Sequence, residues 1–161
     1  MKLSTQEEYG LRCLLRVGKT VQSGSCGSVT IPELSRAEGI SEPNVAKMMR
    51  ILRQGGFVTA TRGHSGGYTL SRPAEEIAVG HVLAVLGGRI FDSNFCVAHA
   101  GTANLCGRTS DCSIRLVWQT IQSAIDGVLA TLSLRDLLGS ERDMSAWATG
   151  RTLPTLEHRA P

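Results

Sequence analysis

Three residue patterns typical of helix starts occur within the first 41 residues of the chain. Each is followed 9 to 14 positions later by a glycine that could end the helix. Ser4 and Thr30 each precede a glutamate by three positions, which is the pattern of a capping box, and Ser41 opens a third helix with proline in its first turn. The glycines expected to end these helices are Gly18, Gly39 and Gly55. The second and third helices, joined through a single glycine, predict a helix-turn-helix.

Two strand-like runs come next, residues 57–61 and 68–71, both rich in aromatic and β-branched side chains. The segment between them, RGHSGG, is basic and rich in glycine, as expected of the tip of a hairpin. Three helices followed by a hairpin are the order of a winged helix-turn-helix. We therefore predict a mainly α fold with a small β-hairpin, in which residues 1–72 form a winged helix-turn-helix DNA-binding domain.

The remainder of the chain is predicted to be helical, with a helix from about Val79 to Leu86 and a long helix after Cys112. Apolar residues recur along the long helix in steps of three and four. They are Ile114, Val117, Trp118, Ile121, Ile125, Val128, Leu129 and Leu132. Such a stripe needs a partner, and in a short chain the economical partner is the same helix of a second subunit, which predicts a homodimer. The alternative is that the stripe packs only on its own winged helix.

Residues 73–139 are assigned to dimerisation helices, including a short helix capped by Ser133 that runs through Leu138, and to a loop that contains Cys96, Cys106 and Cys112, whose spacing makes it a candidate cluster-binding loop. Residues 140–161, with Gly150, Pro154 and Pro161, are predicted to be a flexible tail.

Charge is distributed unevenly along the chain. Residues 1–72 carry 10 Lys and Arg against 5 Asp and Glu, a net +5, whereas residues 73–161 carry 7 against 9, a net −2. The first part is therefore the one suited to a phosphate backbone. Aromatic residues make up 4% of the chain, which argues against a stacking platform for single strands. No run of eighteen apolar residues occurs, so a membrane span is not expected.

Three cysteines, Cys96, Cys106 and Cys112, share one polar segment with the spacing C-x9-C-x5-C. Thiolates are the preferred ligands of zinc and of iron–sulfur clusters. A disulfide is the main rival, but five cysteines is an odd number and the first residues lack the pattern of a secretion signal, so a reducing cytoplasm is expected. Of the other two, Cys13 is expected to be buried among leucines and Cys26 to be a free thiol in a flexible loop.

Taken together, these segments resemble the family of winged helix-turn-helix regulators that includes the iron–sulfur cluster regulator IscR and the nitric-oxide-sensing repressor NsrR. The resemblance covers roughly residues 1–138. It rests on the opening MKLST, the segment ISEPNVAKMMRILRQGGFV, the wing RGHSGGYTLSRP, the run IAVGHVLAVL and the three cysteines. It implies a homodimer that binds a palindromic double-stranded DNA operator and carries an iron–sulfur cluster, 2Fe-2S or 4Fe-4S, near the dimer interface.

The winged-helix geometry places the second helix of the pair in the major groove and the hairpin tip against phosphate or the minor groove. The residues expected to contact DNA are Ser41, Glu42, Asn44, Lys47, Arg50, Arg53, Arg62 and His64. Among these, the resemblance implies that Arg62 is a minor-groove arginine. Taken alone, the basic residues of the helix are equally typical of a solvated face.

Three cysteines leave one ligand of a cluster to be supplied by another residue. The resemblance to the iron–sulfur regulator would place a histidine at the position of Arg115, and arginine does not ligate metal. Glu8 lies where the nitric-oxide-sensing branch has an acidic ligand from the partner subunit, although an ion pair with Arg12, one helical turn away, is the alternative role for Glu8. His99 is the rival ligand within the cysteine segment.

The leading hypothesis is therefore a dimeric, iron–sulfur-dependent transcription regulator that responds to redox state, nitric oxide or iron–sulfur supply. A zinc-stabilised or thiol-redox DNA-binding regulator without such a cluster is the alternative. An enzyme is not expected, because the chain has no phosphate-binding glycine loop and no H-E-x-x-H, and its G-H-S-G-G lies at a hairpin tip rather than in a strand-to-helix turn.

Overall fold

The computed structural model describes residues 4–24, 27–61, 63, 66–92, 94–98 and 112–150. Most of these residues are helical, and one antiparallel hairpin lies among them. The elements in chain order are α1 (Thr5–Gln22), α2 (Ile31–Glu38), α3 (Glu42–Gln54), β1 (Val58–Thr61), β2 (Gly67–Leu70), a 3-10 turn (Ala74–Glu76), α4 (Val79–Gly87), α5 (Phe95–Ala98), α6 (Ser113–Leu129), α7 (Leu134–Leu137) and α8 (Glu141–Thr149). The predicted fold class, mainly α with a small hairpin, is confirmed.

Both predicted capping boxes form at the starts of α1 and α2. The Ser4 hydroxyl accepts from the Glu7 amide at 3.2 Å while the Glu7 carboxylate accepts from the Ser4 amide at 2.7 Å, and Thr30 and Glu33 repeat the arrangement. Gly39 ends α2 in the left-handed conformation, with φ of 65°, which a side chain would disfavour. Local signals therefore account for the turn between α2 and α3.

The predicted end of the first helix is wrong, because α1 continues past Gly18 to Gln22. Gly18 has a packing role instead. A Cβ atom at this position would lie 3.0 Å from Leu138 Cδ1, so the absence of a side chain lets the residue after α7 approach α1 closely. A glycine that looked like a stop in the sequence is a contact point between distant segments.

The hairpin pairs β1 with β2 in the register Val58 with Leu70 and Thr61 with Gly67. Val29, which precedes α2, adds a bridge to the outer edge of β2: its amide donates to the Tyr68 carbonyl at 2.9 Å and its carbonyl accepts from the Tyr68 amide at 2.8 Å. The hairpin is thus tied to the start of the helix-turn-helix.

One hydrophobic core joins α1, α3 and α4, with Phe57 of the turn before β1 fully buried in it. The core continues beyond residue 72, since Ile77, Leu86 and Leu134 are buried in the same cluster. The long helix α6 packs against α4 along part of its length. No helix in the described part of the chain is long and apolar enough to cross a membrane.

Residues 141–149 of the segment predicted to be a flexible tail form the helix α8. Ser140 and Asp143 form a capping box at the start of α8, in which the Ser140 hydroxyl accepts from the Asp143 amide at 3.2 Å. Asp143, at the third helical position, accepts from the Ser140 amide as a glutamate would in a capping box. The sequence therefore contained a helix-start signal here, but the Gly and Pro residues of the segment favoured the prediction of a tail. Residues 151–161 lie outside the described residues.

Candidate nucleic-acid interface and cluster segment

The helix α3 has one buried face and one exposed face. Val45, Met48, Met49 and Leu52 are buried in the core, which fixes the rotation of the helix. The side chains left exposed are Ser41 at the cap and, on the helix, Glu42, Asn44, Lys47, Arg50 and Arg53. All six residues of this stretch that the sequence suggested for DNA contact therefore lie on the solvent-facing side of α3. Three of them are cationic, which suits a polyanion.

A cluster of charges fastens α2, the helix before α3, onto α1. The Glu38 carboxylate accepts from Arg12 Nε at 3.2 Å and from Arg16 Nε at 2.7 Å, and Arg12 also donates to the Glu38 carbonyl. The Glu38 side chain is only 12% exposed, so water screens these pairs less than it would at an open surface. We call Arg12, Arg16 and Glu38 the α1–α2 clamp. The sequence contained no signal for it, because the partners lie 22 and 26 positions apart.

The hairpin of β1 and β2, which the sequence predicted as the wing, follows α3 directly in the chain. Within the turn, Gly63 has φ of 119°, and its carbonyl accepts from the Gly66 amide at 2.9 Å. A φ of this sign favours glycine, which explains the residue type at this position. Arg62 and His64, the two wing residues predicted to contact DNA, lie outside the described residues.

Two of the three clustered cysteines are described, and both differ from Cys13. Cys96 lies in α5 and Cys112 is the N-cap of α6; both are partly exposed and neither forms a disulfide. Cys13 is fully buried in the core, as predicted, and burial, with a smaller effect of the Glu38 charge, raises the pKa of its thiol to about 11. Cys13 is therefore a packing residue, whereas Cys96 and Cys112 keep thiols that a metal can reach.

The donor set for a metal is incomplete among the described residues. Within that part of the chain, no three His, Cys, Asp or Glu side chains converge on one point. Cys106 and His99, two of the predicted ligands, lie outside it, as does Cys26. Two accessible soft ligands at the borders of the cysteine segment fit an iron–sulfur cluster or zinc better than a hard cation.

Glu8, the proposed ligand on α1, is exposed. The alternative role for it is wrong: Arg12 pairs with Glu38 through the α1–α2 clamp, and no ion pair of Glu8 is present among the described residues. The exposed Glu8 carboxylate is thus not engaged by Arg12.

Sequence reasoning missed a connection between the cysteine segment and α6. The side-chain amide of Gln122, in the middle of α6, accepts from the backbone amides of Ile90 and Phe91 at 2.9 and 3.2 Å. The rings of Phe91 and Phe95 lie 5.1 Å apart, and Phe95 lies 6.4 Å from the ring of Trp118 on α6. The chain leading into Cys96 therefore lies against α6.

Comparison with known proteins identifies the family. Residues 3–140 match the model of the Rrf2 family, described as iron-dependent transcriptional regulators. The chain belongs to the Rrf2 family. It is 34% identical over 139 residues to the protein rrf2 of Nitratidesulfovibrio vulgaris, covering 86% of this chain and 87% of that protein. It is 28% identical over 141 residues to the transcriptional regulator IscR of Serratia proteamaculans, covering 88% and 81%.

Solved structures of Rrf2-type fold agree with this assignment. The IscR of T. potens superimposes with a TM-score of 0.65 at 25% identity, covering 94% of this chain and 93% of that one. CymR, the global cysteine regulator of B. subtilis, gives 0.62 at 25% identity, covering 86% and 96%. The oxidized form of Staphylococcus aureus CymR also gives 0.62 at 25% identity, covering 87% and 98%. The chain is thus a DNA-binding transcriptional regulator and not an enzyme, as the sequence predicted.

Proposed function

We propose that the chain is a homodimeric transcription regulator whose affinity for a palindromic operator is set by an iron–sulfur cluster. The observation that carries the proposal is the pair of accessible free thiols, Cys96 and Cys112, in a member of a family described as iron-dependent. Cys112 is the N-cap of α6, and the segment before Cys96 is bonded to that helix. A change in the cysteine segment is therefore in a position to act on the element proposed to pair the two subunits.

The outer face of α6 supports the homodimer. Ile114 and Val117 are 53% and 54% exposed, and Ile121 and Val128 on the same face are half-buried. These four residues form the outer stripe of α6. Exposed aliphatic side chains in a row on a helix are typical of an interface. The other side of α6, around Gln122, faces its own chain. Pairing of two outer stripes about a two-fold axis would bury them both.

The exposed face of α3 supports operator recognition by helix insertion. In this proposal Ser41, Asn44 and Lys47 contact base edges near the start of the helix, together with Glu42, and Arg50 and Arg53 contact phosphate. Arg62 enters the minor groove and His64 contacts phosphate beside it. A two-fold dimer presents two such helices, which matches an inverted repeat.

The cluster would be held by Cys96, Cys106 and Cys112, with Glu8 of the partner subunit as the fourth ligand and His99 as its rival. When bound, the cluster supplies redox chemistry and a reactive site for oxidants and nitric oxide. A carboxylate is a hard ligand and binds iron–sulfur centres less firmly than a thiolate. The carboxylate would therefore be the ligand that is most easily displaced from the cluster. The proposed signals are redox state, nitric oxide or cluster supply.

Operator binding is tested by selection from random duplex DNA with anaerobically purified protein. We expect enrichment of an inverted repeat whose half-sites are separated by about one helical turn. Arg62→Ala should weaken binding to the selected duplex by about 1–3 kcal/mol if that residue reads a groove. Enrichment of a single half-site, or of no sequence, would contradict the proposal of a two-fold dimer on a palindrome.

The fourth ligand is tested by visible absorption and electron paramagnetic resonance of Glu8→Ala and His99→Ala, with Glu141→Ala as the control. Glu141 is an exposed acidic residue in the first turn of α8, far along the chain from the cysteines. We expect Glu8→Ala to change the spectra and to speed cluster loss, while Glu141→Ala leaves both unchanged. If neither Glu8→Ala nor His99→Ala differs from wild type, both ligand assignments are wrong.

A metal-free thiol regulator, or a zinc-stabilised one, is the second candidate. The observation that favours it is the likeness to CymR structures, one of them an oxidized form, together with two accessible free thiols in this chain. Metal analysis separates the candidates. Colourless, zinc-loaded protein that unfolds on chelation would indicate a structural zinc site, and metal-free protein whose DNA affinity follows thiol oxidation would indicate the thiol regulator.

A further inference from the structure

Gln122 is the one amide or charged side chain that is buried in the described part of the chain, at 7% exposure. A buried amide is costly unless its polar atoms are bonded. Here the oxygen accepts from the backbone amides of Ile90 and Phe91, which uses both of its lone pairs, and the nitrogen donates to Asp126 Oδ1 at 2.9 Å. Two donors on one side and a carboxylate on the other fix the orientation of the amide group.

The contacts of Gln122 continue into a longer network. Asp126, one turn further along α6, also binds the Arg89 guanidinium through its second oxygen. Residues 89, 90 and 91 are therefore each bonded to a side chain of α6: Arg89 to Asp126, and the other two to Gln122. We call this set of bonds the Gln122 clasp. It holds the first residues after α4, and Phe91 then packs against Phe95, the residue next to Cys96.

The clasped turn is also held from the side of α1. Gln6 donates its side-chain amide to the Leu86 carbonyl, and a Cβ atom on Gly87 would lie 2.3 Å from Glu7 Cδ. The first turn of α1 and the middle of α6 thus contact the same turn from two sides. The stretch that leads to Cys96 is therefore anchored to both α1 and α6.

We infer that Gln122 is a positioning residue that couples the cysteine segment to α6, so that a change at the cluster alters the dimer and hence its DNA affinity. This inference rests on the proposed function. Gln122 is too deeply engaged with backbone amides to be a ligand itself. Its role is to make the turn before Cys96 and the helix proposed to pair the subunits move as one unit.

The clasp is tested first in the cluster-free protein, by hydrogen exchange of the amides at positions 90 and 91. Gln122→Met keeps the length of the side chain but removes the acceptor, which leaves two partly buried N–H groups unpaired. We expect these amides to exchange about ten- to a hundredfold faster, because they lose their partner. Gln119→Met makes the same change at an exposed position of α6 and should leave the exchange rates as in wild type. Unchanged exchange in Gln122→Met would overturn the clasp.

The coupling is tested by the ratio of the dissociation constants of cluster-free and cluster-loaded protein for the duplex selected from random DNA. In Gln122→Met we expect this ratio to fall toward one, while the visible spectrum of the loaded form stays as in wild type because no ligand is changed. A residue with a merely structural role would change both constants by the same factor and leave their ratio as it was. A wild-type ratio in Gln122→Met would therefore overturn the inference.

The outcomes also separate this inference from the proposed function. If the wild-type protein binds DNA equally with and without cluster, the proposed function fails. If wild type and Gln119→Met respond to the cluster and Gln122→Met responds equally, the function stands and the coupling role alone is overturned. Gln122→Asn provides a second variant should Gln122→Met not fold: it keeps an amide but is one methylene too short to reach both backbone groups, and the same two measurements apply.

Discussion

Replacing Val117 with glutamate should dissociate the proposed homodimer. Val117 belongs to the outer stripe of α6 and is 54% exposed in the single chain. Full burial of an aliphatic side chain is worth about 1.5–3 kcal/mol, so roughly half of that, about 1 kcal/mol, remains to be gained on pairing. Because a two-fold dimer contains two copies of Val117, the lost burial energy is doubled to about 2 kcal/mol. Two carboxylates brought together without partners add about 2–4 kcal/mol more. The total is about 4–6 kcal/mol per dimer.

That loss corresponds to a dimer dissociation constant raised about a thousandfold or more. Sedimentation equilibrium at several protein concentrations measures it directly, with far-ultraviolet circular dichroism to confirm that the monomer stays folded. Ser123→Glu is the matched control, because Ser123 is exposed on α6 but lies away from the outer stripe. A Val117→Glu protein that remains as dimeric as Ser123→Glu would refute the assignment of this face to the subunit interface.

Three further predictions follow from other parts of the fold. The pKa of Cys13 is raised in the folded state to about 11, so unfolded chains ionise first as pH rises above about 9. The free energy of unfolding should therefore fall by about 2 kcal/mol between about pH 9 and about pH 11 in wild type, and by less in Cys13→Ala. Urea unfolding at a series of pH values measures this difference. Arg53→Ala should weaken DNA binding equally for all sequences and reduce the salt slope by about one; a change in sequence preference would contradict a phosphate contact. Glu38→Gln breaks the α1–α2 clamp and should lower the free energy of unfolding by about 1–2 kcal/mol, whereas an unchanged urea midpoint would show that the clamp is not stabilising.

The parts of the fold that depend on neighbouring residues could be predicted from the sequence. The capping boxes at Ser4 and Thr30 and the helix end at Gly39 are set by residues within one turn, and the structure confirms all three. Features that join distant segments could not be predicted in this way. Gly18 carries the signal of a helix end, yet α1 continues through it because Leu138 packs there, 120 positions further along the chain.

The candidate site divides in the same way. The exposed face of α3 follows from its apolar spacing, so the orientation of Lys47 and Arg50 could be predicted. The roles of Glu38 and Gln122 could not be predicted from the sequence, because the hydrogen-bond partners of each residue lie in a distant part of the chain. Gln122 lies just beside the apolar stripe of α6, where an amide looked like an ordinary surface residue. A polar residue flanking such a stripe is the signal that would have found it.

The central claim is that an iron–sulfur cluster on Cys96, Cys106 and Cys112 controls DNA affinity. The most direct test measures the affinity of one anaerobic preparation for the selected duplex before and after removal of the cluster, with iron and sulfide counted in the same samples. We expect coloured protein that contains both elements and an affinity that changes about 5- to 150-fold on cluster loss. Protein without iron and sulfide, or an affinity that is the same in both samples, would contradict it.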